Sequence, residues 1–250
     1  MMNIKKKARL DKLLTDRGLV ESCERARSLI LAGKVFVQGQ RIDKAGSMVF
    51  SDMEILIKGE DLPYVSRGGL KLEKALEEFM IDVKGMVVMD VGASTGGFTD
   101  CLLKKGAERV YAIDVGYGQL DWKLRRDKRV VVLEKRNIRY LKKEEIPEEI
   151  DLAVIDVSFI SLTKVIPKVS EFLKNEGAII ALIKPQFEVA KGEVGKGGIV
   201  KNPEKHREVV LKISEFADTL SLSVKGTIES PILGQKGNRE FLIYLVKSDS

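Results

Sequence analysis

Cysteine and histidine are scarce, since the 250 residues include only two cysteines and one histidine. Cys23 and Cys101 lie far apart without paired spacing, so neither a disulfide framework nor a zinc site is indicated, and we expect packed thiols. The lone His206 has no second histidine with which to bind a metal, and its charged neighbours predict a solvated position on a helix. These absences predict a protein without a bound metal.

Long apolar runs are also missing. The longest of them, such as residues 179–183, extend over only a few positions, whereas a membrane-spanning helix needs about 20. The N-terminus is basic, as in a signal peptide, but Arg9 and Asp11 follow where such a peptide would have an apolar stretch. We therefore expect a cytoplasmic protein without a membrane span.

The chain does have enough apolar residues for a core, and its charge is uneven. Hydrophobic residues make up 44% of the 250 positions, which suits one large domain or two unequal ones. Residues 1–60 carry 12 Lys and Arg against 8 Asp and Glu, whereas the rest carry 31 against 29. A small basic module ahead of a nearly neutral body is typical of a protein that binds a polyanion.

The basic module has the pattern of two short helices and a small sheet. One helix is predicted to begin at Arg9 and to end at Gly18, and a second one begins after a cap at Ser22. Strands are predicted at residues 34–37 and 55–57.

This module resembles the S4 RNA-binding domain, a small α+β domain. The resemblance rests on Arg9-Leu10-Asp11, Ser22, Arg25-Ala26, Ile30, Gly33, Val35, Val37 and Gly39. That family binds structured RNA through a basic face, so the resemblance implies RNA contacts from Arg9, Arg25, Arg27 and Lys34. Such contacts to phosphates position an RNA without reading its bases.

Beyond the module, short apolar strands alternate with helical segments, which indicates a parallel sheet covered on both faces. The strands are predicted at residues 87–91, 110–114, 130–133, 152–156 and 178–184. The helices between and after them include residues 161–173 and 204–220. Two final strands should close the sheet as a hairpin, at residues 223–228 and 240–246.

These patterns predict an α/β protein with two domains. A small S4-like domain is expected at residues 1–60 and a linker at residues 61–66. A Rossmann-like domain is expected at residues 67–250.

The first predicted strand ends in a glycine-rich loop at residues 90–99. Glycines between a strand and a helix let the backbone approach a ligand closely. The loop lacks both the G-x-G-x-x-G spacing of dinucleotide-binding proteins and the G-K-[ST] of nucleoside triphosphatases. Asp114 follows Gly92 by 22 residues, about where an acid reaches ribose hydroxyls. The loop and the acid together predict a nucleoside ligand with few phosphates.

S-adenosylmethionine fits this loop as the cofactor. Its adenosine has the ribose hydroxyls, its amino-acid tail needs backbone partners, and its cationic sulfonium tolerates Asp90 nearby. Asn137, after the third strand, stands where methyltransferases usually contact the adenine edge. The predicted cofactor-binding residues are Asp90, Gly92, Ser94, Gly96, Gly97, Phe98, Asp114, Asn137 and Asp156.

Four polar residues suggest the chemistry. Asp156 and Lys184 end the fourth and fifth strands, and open α/β sheets bind their ligands at the carboxyl ends of the strands. Lys71 begins the helix before the first strand, and Glu240 begins the last strand. Their order resembles the K-D-K-E tetrad of FtsJ/RrmJ-type ribose 2′-O-methyltransferases.

A fuller match resembles the TlyA family, whose members join an S4 domain to such a methyltransferase domain and are often labelled hemolysins. It covers nearly the whole chain and includes residues 66–72, 90–100, 114–120, 156–162 and 184–188. The resemblance implies methylation of ribose 2′-hydroxyls of cytidines in ribosomal RNA, so ribosomal RNA or ribosomal subunits are the expected partners. Arg67, in the first of these segments, joins the RNA-binding candidates.

The tetrad suits this reaction. A 2′-hydroxyl must lose its proton as it attacks the methyl carbon, so a general base is needed. Lys184 is the expected base, because burial and nearby positive charge favour the neutral amine that a lysine needs for this role. Asp156 is expected to orient Lys184, while Lys71 and Glu240 hold the ribose and the second charge.

Three other functions remain open. A membrane-active cytolysin would need segments that face lipid, whereas the predicted helices are better explained as covers for a sheet. A noncatalytic RNA-binding assembly factor would have no reason to keep two lysines and two acids in a cleft. Methylation of a base or a protein is the third, although the Asn-Pro-Pro-Tyr loop used on base amino groups is absent after the fourth strand.

Overall fold

The computed structural model describes residues 7–20, 22–31, 33–57, 63–190 and 192–248. The chain divides into two compact units, Met1–Asp61 and Leu62–Ser250. The first two residues of the predicted linker, 61 and 62, lie outside the described residues.

The first unit has the two helices and small sheets of an α+β domain. Its helices are α1 (Leu10–Asp16) and α2 (Cys23–Leu31). One sheet has the order β3-β2-β5, and a second pairs β1 with β4. The strands are β1 (Lys7–Arg9), β2 (Val35–Val37), β3 (Gln40–Arg41), β4 (Met48–Phe50) and β5 (Ile55–Ile57).

The predicted cap in this unit is confirmed, whereas the predicted start of the first helix is not. Ser22 Oγ accepts a hydrogen bond from Arg25 N at 3.1 Å and so caps α2. Gln38 and Gly39 have φ values of 49° and 78°, which suits the tight hairpin between β2 and β3. Arg9 was expected inside the first helix but ends β1, because its extended backbone, with ψ at 135°, places it before the first helical residue.

The second unit is built on a seven-stranded sheet with the order β11-β12-β10-β9-β6-β7-β8. The strands from β8 to β10 in this order are parallel, whereas β12 runs antiparallel to both of its neighbours. The strands are β6 (Val87–Val91), β7 (Arg109–Asp114), β8 (Val130–Glu134), β9 (Ile150–Ile155), β10 (Leu173–Ile183), β11 (Leu222–Glu229) and β12 (Phe241–Lys247). The predicted Rossmann-like sheet and its terminal hairpin are confirmed.

Helices cover both faces of this sheet. They are α3 (Gly68–Glu78), α4 (Gly97–Lys104), α5 (Trp122–Arg125), α6 (Ile166–Ser170), α7 (Pro185–Glu188) and α8 (Pro203–Asp218). Successive strand residues enter opposite cores, as Met89 and Val91 pack on one face and Val88 on the other. A sheet buried on both faces explains why its strands are almost continuously apolar.

The predicted helix over residues 161–173 is wrong. A 3-10 helix spans Leu162–Lys164, α6 spans Ile166–Ser170, and β10 already begins at Leu173. Pro167 explains the break, because proline lacks an N–H group and is tolerated only in the first turn of a helix.

The predicted solvated position of His206 is also wrong. Its side chain is buried, with Nε2 2.8 Å from the carbonyl oxygen of Val200 and the ring against Phe241. His206 shares the inner face of α8 with Val209 and Ile213, at the spacing of a helix face that packs on a core. Charged neighbours in the sequence hid this face.

The two cysteines are both free thiols, and they differ in exposure. Cys101 is buried as expected, whereas Cys23 is only partly buried. Among the described residues, none of the helices is long and apolar enough to cross a membrane.

Gly69 offers a test of packing in α3. A Cβ at this position would overlap the ring of Tyr64, whereas a Cβ at Gly68 would lie 3.4 Å from Ser66 Oγ, in ordinary contact. We expect Gly69→Ala to lower the free energy of unfolding by about 1–3 kcal/mol through overpacking. Gly68→Ala should be neutral or stabilising by up to about 1 kcal/mol, because alanine favours helix. Equal midpoints in urea unfolding would contradict this packing.

Candidate active site

A cleft opens at the carboxyl edge of the parallel strands, with a volume of about 270 Å³. Its walls come from the start of α3, the loop after β6, the end of β9 and the loop before β12. The lining residues are Ser66, Arg67, Gly68, Lys71, Gly92, Ala93, Ser94, Thr95, Gly97, Phe98, Asp156, Ile232, Leu233, Gly234 and Gln235. Ligands of open α/β sheets bind at this edge.

The glycine-rich loop lies directly against the end of β9. Gly92 has a φ of 89°, and a Cβ there would overlap the carbonyl oxygen of Asp156. Only glycine therefore allows this approach. The loop is also tied to β7, since Asp114 accepts hydrogen bonds from Ser94 N at 2.8 Å and from Gly116 N at 2.7 Å.

The later glycines of the loop have different surroundings. Gly97 lines the cleft at the start of α4, close to Ser66. Gly96 does not line it, and a Cβ there would overlap the side chains of Leu120 and Leu124. Phe98 lines the cleft and is 3% exposed.

Asp90 lies fully buried beneath the loop. Its Oδ2 accepts a hydrogen bond from Thr99 Oγ1 at 2.6 Å, while Oδ1 has no partner among the described residues. Burial, and then the charges of Asp156 and Asp114, raise the pKa of Asp90 to about 7. The site therefore holds a carboxyl group that a cationic ligand would help to ionise.

Two lysine–carboxylate pairs stand at the same cleft. Lys71 Nζ donates a hydrogen bond to Glu240 Oε2 at 2.5 Å, and both residues are buried. Lys184 Nζ lies 2.5 Å from Asp156 Oδ1, although without hydrogen-bond geometry, and donates to Ser158 Oγ at 2.9 Å. Lys71 and Asp156 both line the cleft, so the structure brings the four tetrad residues together as two pairs.

Asn137 does not line the cleft, and neither do the predicted RNA-binding residues other than Arg67. Asn137 Oδ1 accepts from Arg139 N at 3.1 Å and caps a 3-10 helix, and it does not line the cleft. Arg67 does line it. The remaining RNA-binding candidates lie in the first unit and are at least partly exposed, namely Arg9, Arg25, Arg27 and Lys34.

Sequence reasoning missed several residues that shape the site. Glu188 is buried and accepts from Ser161 Oγ at 2.6 Å and from Leu162 N at 2.7 Å, so it joins the loops after β9 and β10. Burial raises the pKa of Glu188. Ser158 stood inside a segment that the sequence already singled out, whereas the cleft wall at residues 232–235 carries no charged signature.

An exposed aromatic ring lies at the same edge. Phe159 follows Ser158, has a φ of 64° and is 86% exposed. Its ring centroid lies 5.0 Å from that of Phe187, three residues after Lys184. A positive φ is costly for an aromatic residue, and it projects this ring from the loop that carries Asp156.

The donor set suits a cationic nucleoside. Three carboxyl groups, Asp90, Asp114 and Asp156, surround the glycine loop, and one buried oxygen of Asp90 has no partner among the described residues. The loop itself carries no lysine or arginine for a phosphate chain. S-adenosylmethionine, with its sulfonium and ammonium charges, fits these residues. Within the described ranges, no group of three His, Cys, Asp or Glu residues is placed to hold a metal ion.

Models of two known families match this chain. The model of the FtsJ-like methyltransferase family matches residues 64–247, and that of the S4 domain matches residues 8–55. The 16S/23S rRNA (cytidine-2'-O)-methyltransferase TlyA of Mycobacterium tuberculosis is 46% identical over 96% of this chain and 90% of its own.

Two further relatives carry a different name. Hemolysin A of Brachyspira hyodysenteriae is 45% identical over 95% of this chain and 99% of its own. A solved structure from Streptococcus thermophilus, named as a candidate hemolysin, is 46% identical, with a TM-score of 0.77 over 98% of this chain and 90% of that one.

The family match covers most of the chain, and the site contains the acids and the glycine loop that such a methyltransferase needs. The chain therefore belongs to the FtsJ-like methyltransferase family, as an S-adenosylmethionine-dependent enzyme with an N-terminal S4 domain.

Proposed function

We propose that the protein methylates ribose 2′-hydroxyls of ribosomal RNA, with cytidine as the target nucleoside. The observation that carries this proposal is the Lys184–Asp156 pair at the edge of the cleft, with the Lys71–Glu240 pair beside it. A relative with 46% identity is named for this reaction on 16S and 23S ribosomal RNA. The S4 match supports RNA as the substrate.

The proposed chemistry requires a base beside an electrophilic methyl group. S-adenosylmethionine supplies that methyl group when it is bound. Lys184 accepts the proton that leaves the 2′-oxygen while this oxygen forms its bond to carbon, which requires that Lys184 has first released a proton to solvent. Asp156 and the hydroxyl of Ser158 hold the Nζ atom of Lys184 in place.

The second pair balances charge and positions the acceptor. Lys71 is 9% exposed and Glu240 is 2% exposed. A buried charge is costly without a partner, and each of these residues neutralises the charge of the other. Because Lys71 lines the cleft, its remaining N–H groups are available to a ribose oxygen. Two lysines and two carboxylates leave this part of the site neutral before substrates bind.

The exposed Phe159 supports an unpaired nucleobase at this edge. Enzymes that modify RNA stack unpaired bases on exposed aromatic rings. Phe159 stands three residues after Asp156, so a base on its ring would leave the attached sugar close to Lys184. In this arrangement the target nucleotide is unpaired.

The proposed cofactor residues lie in and behind the cleft. The backbone at Gly92, Ser94 and Gly97 lines it and would face the amino-acid tail. Asp114 does not line the cleft but binds Ser94 N, and we assign it to the ribose hydroxyls. Asp90 would supply negative charge beneath the loop. Contact between Asn137 and adenine stays a prediction, and Asn137 does not line the cleft either.

An enzyme with this substrate works where ribosomes are assembled, so we propose the cytoplasm as its location. The direct experiment incubates the pure protein with labelled S-adenosylmethionine and deproteinised ribosomal RNA. Donor-dependent label in the RNA supports the proposal. Leakage of liposomes in the absence of donor, without label in RNA, would support the membrane-active alternative instead.

Lys184→Met tests the base. Methyl transfer should fall by about 100-fold to 10,000-fold, since a positioned base contributes about that much. Donor affinity, measured by calorimetry, should remain near that of the wild type. Lys164→Met, which removes an exposed lysine from the nearby 3-10 helix, is the matched control and should keep full activity. Normal turnover by Lys184→Met would remove it from this role.

Asp114→Asn tests the ribose site. Its affinity for S-adenosylmethionine should fall by about 10-fold to 100-fold, because charge-assisted hydrogen bonds are worth about 1.5–3 kcal/mol. Asp121→Asn removes an exposed acid close by in the chain while keeping the cap of α5, so it controls for charge alone. Equal affinities of the two variants would exclude Asp114 from ribose binding.

The pH dependence of donor binding tests Asp90. Because the pKa of Asp90 is raised to about 7, affinity for the cationic donor should rise as the pH increases through 7. The carboxyl binds its proton more tightly in the folded state. The free energy of unfolding of the donor-free protein should therefore decrease as the pH rises from about 4 to about 7. Asp90→Asn should flatten both profiles, and an unchanged donor profile in this variant would contradict the assignment.

A further inference from the structure

The first unit contains a shielded carboxylate that contacts two half-exposed guanidinium groups. The side chain of Asp11 is 3% exposed. Arg9 donates to both of its oxygens, from Nε to Oδ1 at 3.1 Å and from Nη2 to Oδ2 at 2.8 Å. Arg27 Nε donates to Oδ2 at 3.1 Å, and Lys12 N donates to Oδ1 at 3.0 Å. One carboxylate therefore binds the side chains of Arg9 and Arg27 and the backbone of Lys12.

The two arginines come from different elements, and both donate to Asp11. Arg9 ends β1 and Arg27 lies in α2, and their side chains are 52% and 53% exposed. Because both donate to Oδ2, the two donor nitrogens lie within about 6 Å of each other, the sum of the two bond lengths. The pair thus presents two positive charges at a fixed spacing to solvent.

Asp11 remains charged under all ordinary conditions. Hydrogen bonds from Arg9 and then Arg27 hold the pKa of its carboxyl well below the usual range, against the opposing effect of burial. The negative charge is therefore hidden, while the positive charges that it holds are exposed.

The guanidinium groups keep donors for a ligand. Among the described residues, none accepts a hydrogen bond from Nη1 of Arg9 or from the two Nη atoms of Arg27. A guanidinium donates in a planar fork that suits phosphate oxygens. An arginine that is already fixed loses less side-chain entropy when it binds than a mobile one does.

We propose that Asp11 is a positioning residue for RNA, which fixes Arg9 and Arg27 as a preorganised pair for phosphates of the RNA backbone. The inference rests on the proposed function for the identity of the ligand as RNA. The proposal adds an acidic residue to a binding face for which the sequence predicted only lysines and arginines.

Electrostatics and positioning make opposite predictions for the loss of this charge. If Asp11 acted only through its charge, its neutralisation would raise the affinity for a polyanion, because a repulsive group is removed. If it acts by holding the arginines, the same change lowers the affinity. Whether the affinity for RNA rises or falls therefore distinguishes a charge effect from a positioning role.

The experiment compares Asp11→Asn with Asp16→Asn in the full-length protein. Asparagine keeps the shape of Asp11 and an acceptor for Lys12 N, and Asp16 is an exposed acid on the same helix α1. Binding of purified 16S and 23S ribosomal RNA is measured by filter retention over a series of salt concentrations. Asp11→Asn should weaken binding by about tenfold, and Asp16→Asn should leave it equal or tighter.

The salt dependence of RNA binding and two arginine variants provide further readouts, in case Asp11→Asn does not fold. The slope of log affinity against log salt should decrease by about one in Asp11→Asn, as a phosphate contact is lost. Arg9→Lys and Arg27→Lys keep the charge but lose the fork, so each should weaken binding in the same way. If circular dichroism shows that Asp11→Asn does not fold, these two variants decide the question.

The outcomes separate this inference from the proposed function. Unchanged or tighter RNA binding by a folded Asp11→Asn, or by both lysine variants, overturns the positioning role. Asp11→Asn should raise the RNA concentration at which methyl transfer is half-maximal, whereas the control Asp16→Asn should keep wild-type methyl transfer. A wild-type protein that binds RNA but transfers no methyl group to it would instead overturn the proposed function and leave the role of Asp11 standing.

Discussion

The ion pair between Lys184 and Asp156 is the interaction on which the rest of the site depends. Parallel pairing of β9 with β10 places Ile155 beside Ala181, so Asp156 and Lys184 both leave the sheet at its carboxyl edge. Gly92 then allows the loop after β6 to lie against the backbone of Asp156. One edge of the sheet thus joins the lysine, its carboxylate and the glycine loop of the cofactor cleft.

The balance of charge around this pair explains which ligands the site suits. Acids outnumber bases around the glycine loop, where Asp90, Asp114 and Asp156 meet without a lysine or arginine in the loop itself. A cationic donor gains from this surplus, whereas a polyphosphate would be repelled. Lys71 and Arg67 also line the cleft, and their positive charges would favour the anionic backbone of the proposed RNA substrate.

Much of the fold could be predicted from the sequence, because buried parallel strands are short apolar runs that end in glycine, aspartate or lysine. The ends of β9 and β10 were therefore expected near Asp156 and Lys184. Two helix interpretations failed, one at a local helix breaker and one through tertiary packing. Pro167 divided a helix that looked continuous, and α8 buried His206 despite its charged neighbours.

Prediction of the site had similar limits. Glu188 and Ser158 lie inside segments that the sequence singled out, yet the two hydrogen bonds that Glu188 accepts join residues 26 and 27 positions apart, and no spacing reveals them. The wall at residues 232–235 is formed by chain that only the closing hairpin brings to the cleft. Asp11 belonged to a motif that the sequence identified. Its hydrogen bond from Arg27 joins residues 16 positions apart in the chain and appears only in the structure.

The identity of the modified nucleoside tests the central claim most directly. Ribosomal RNA methylated by the pure protein is digested to nucleosides and analysed by mass spectrometry, with fragmentation to place the methyl group on the sugar or on the base. The account predicts 2′-O-methylcytidine. A methyl group on a base, or RNA without any added methyl, would contradict it.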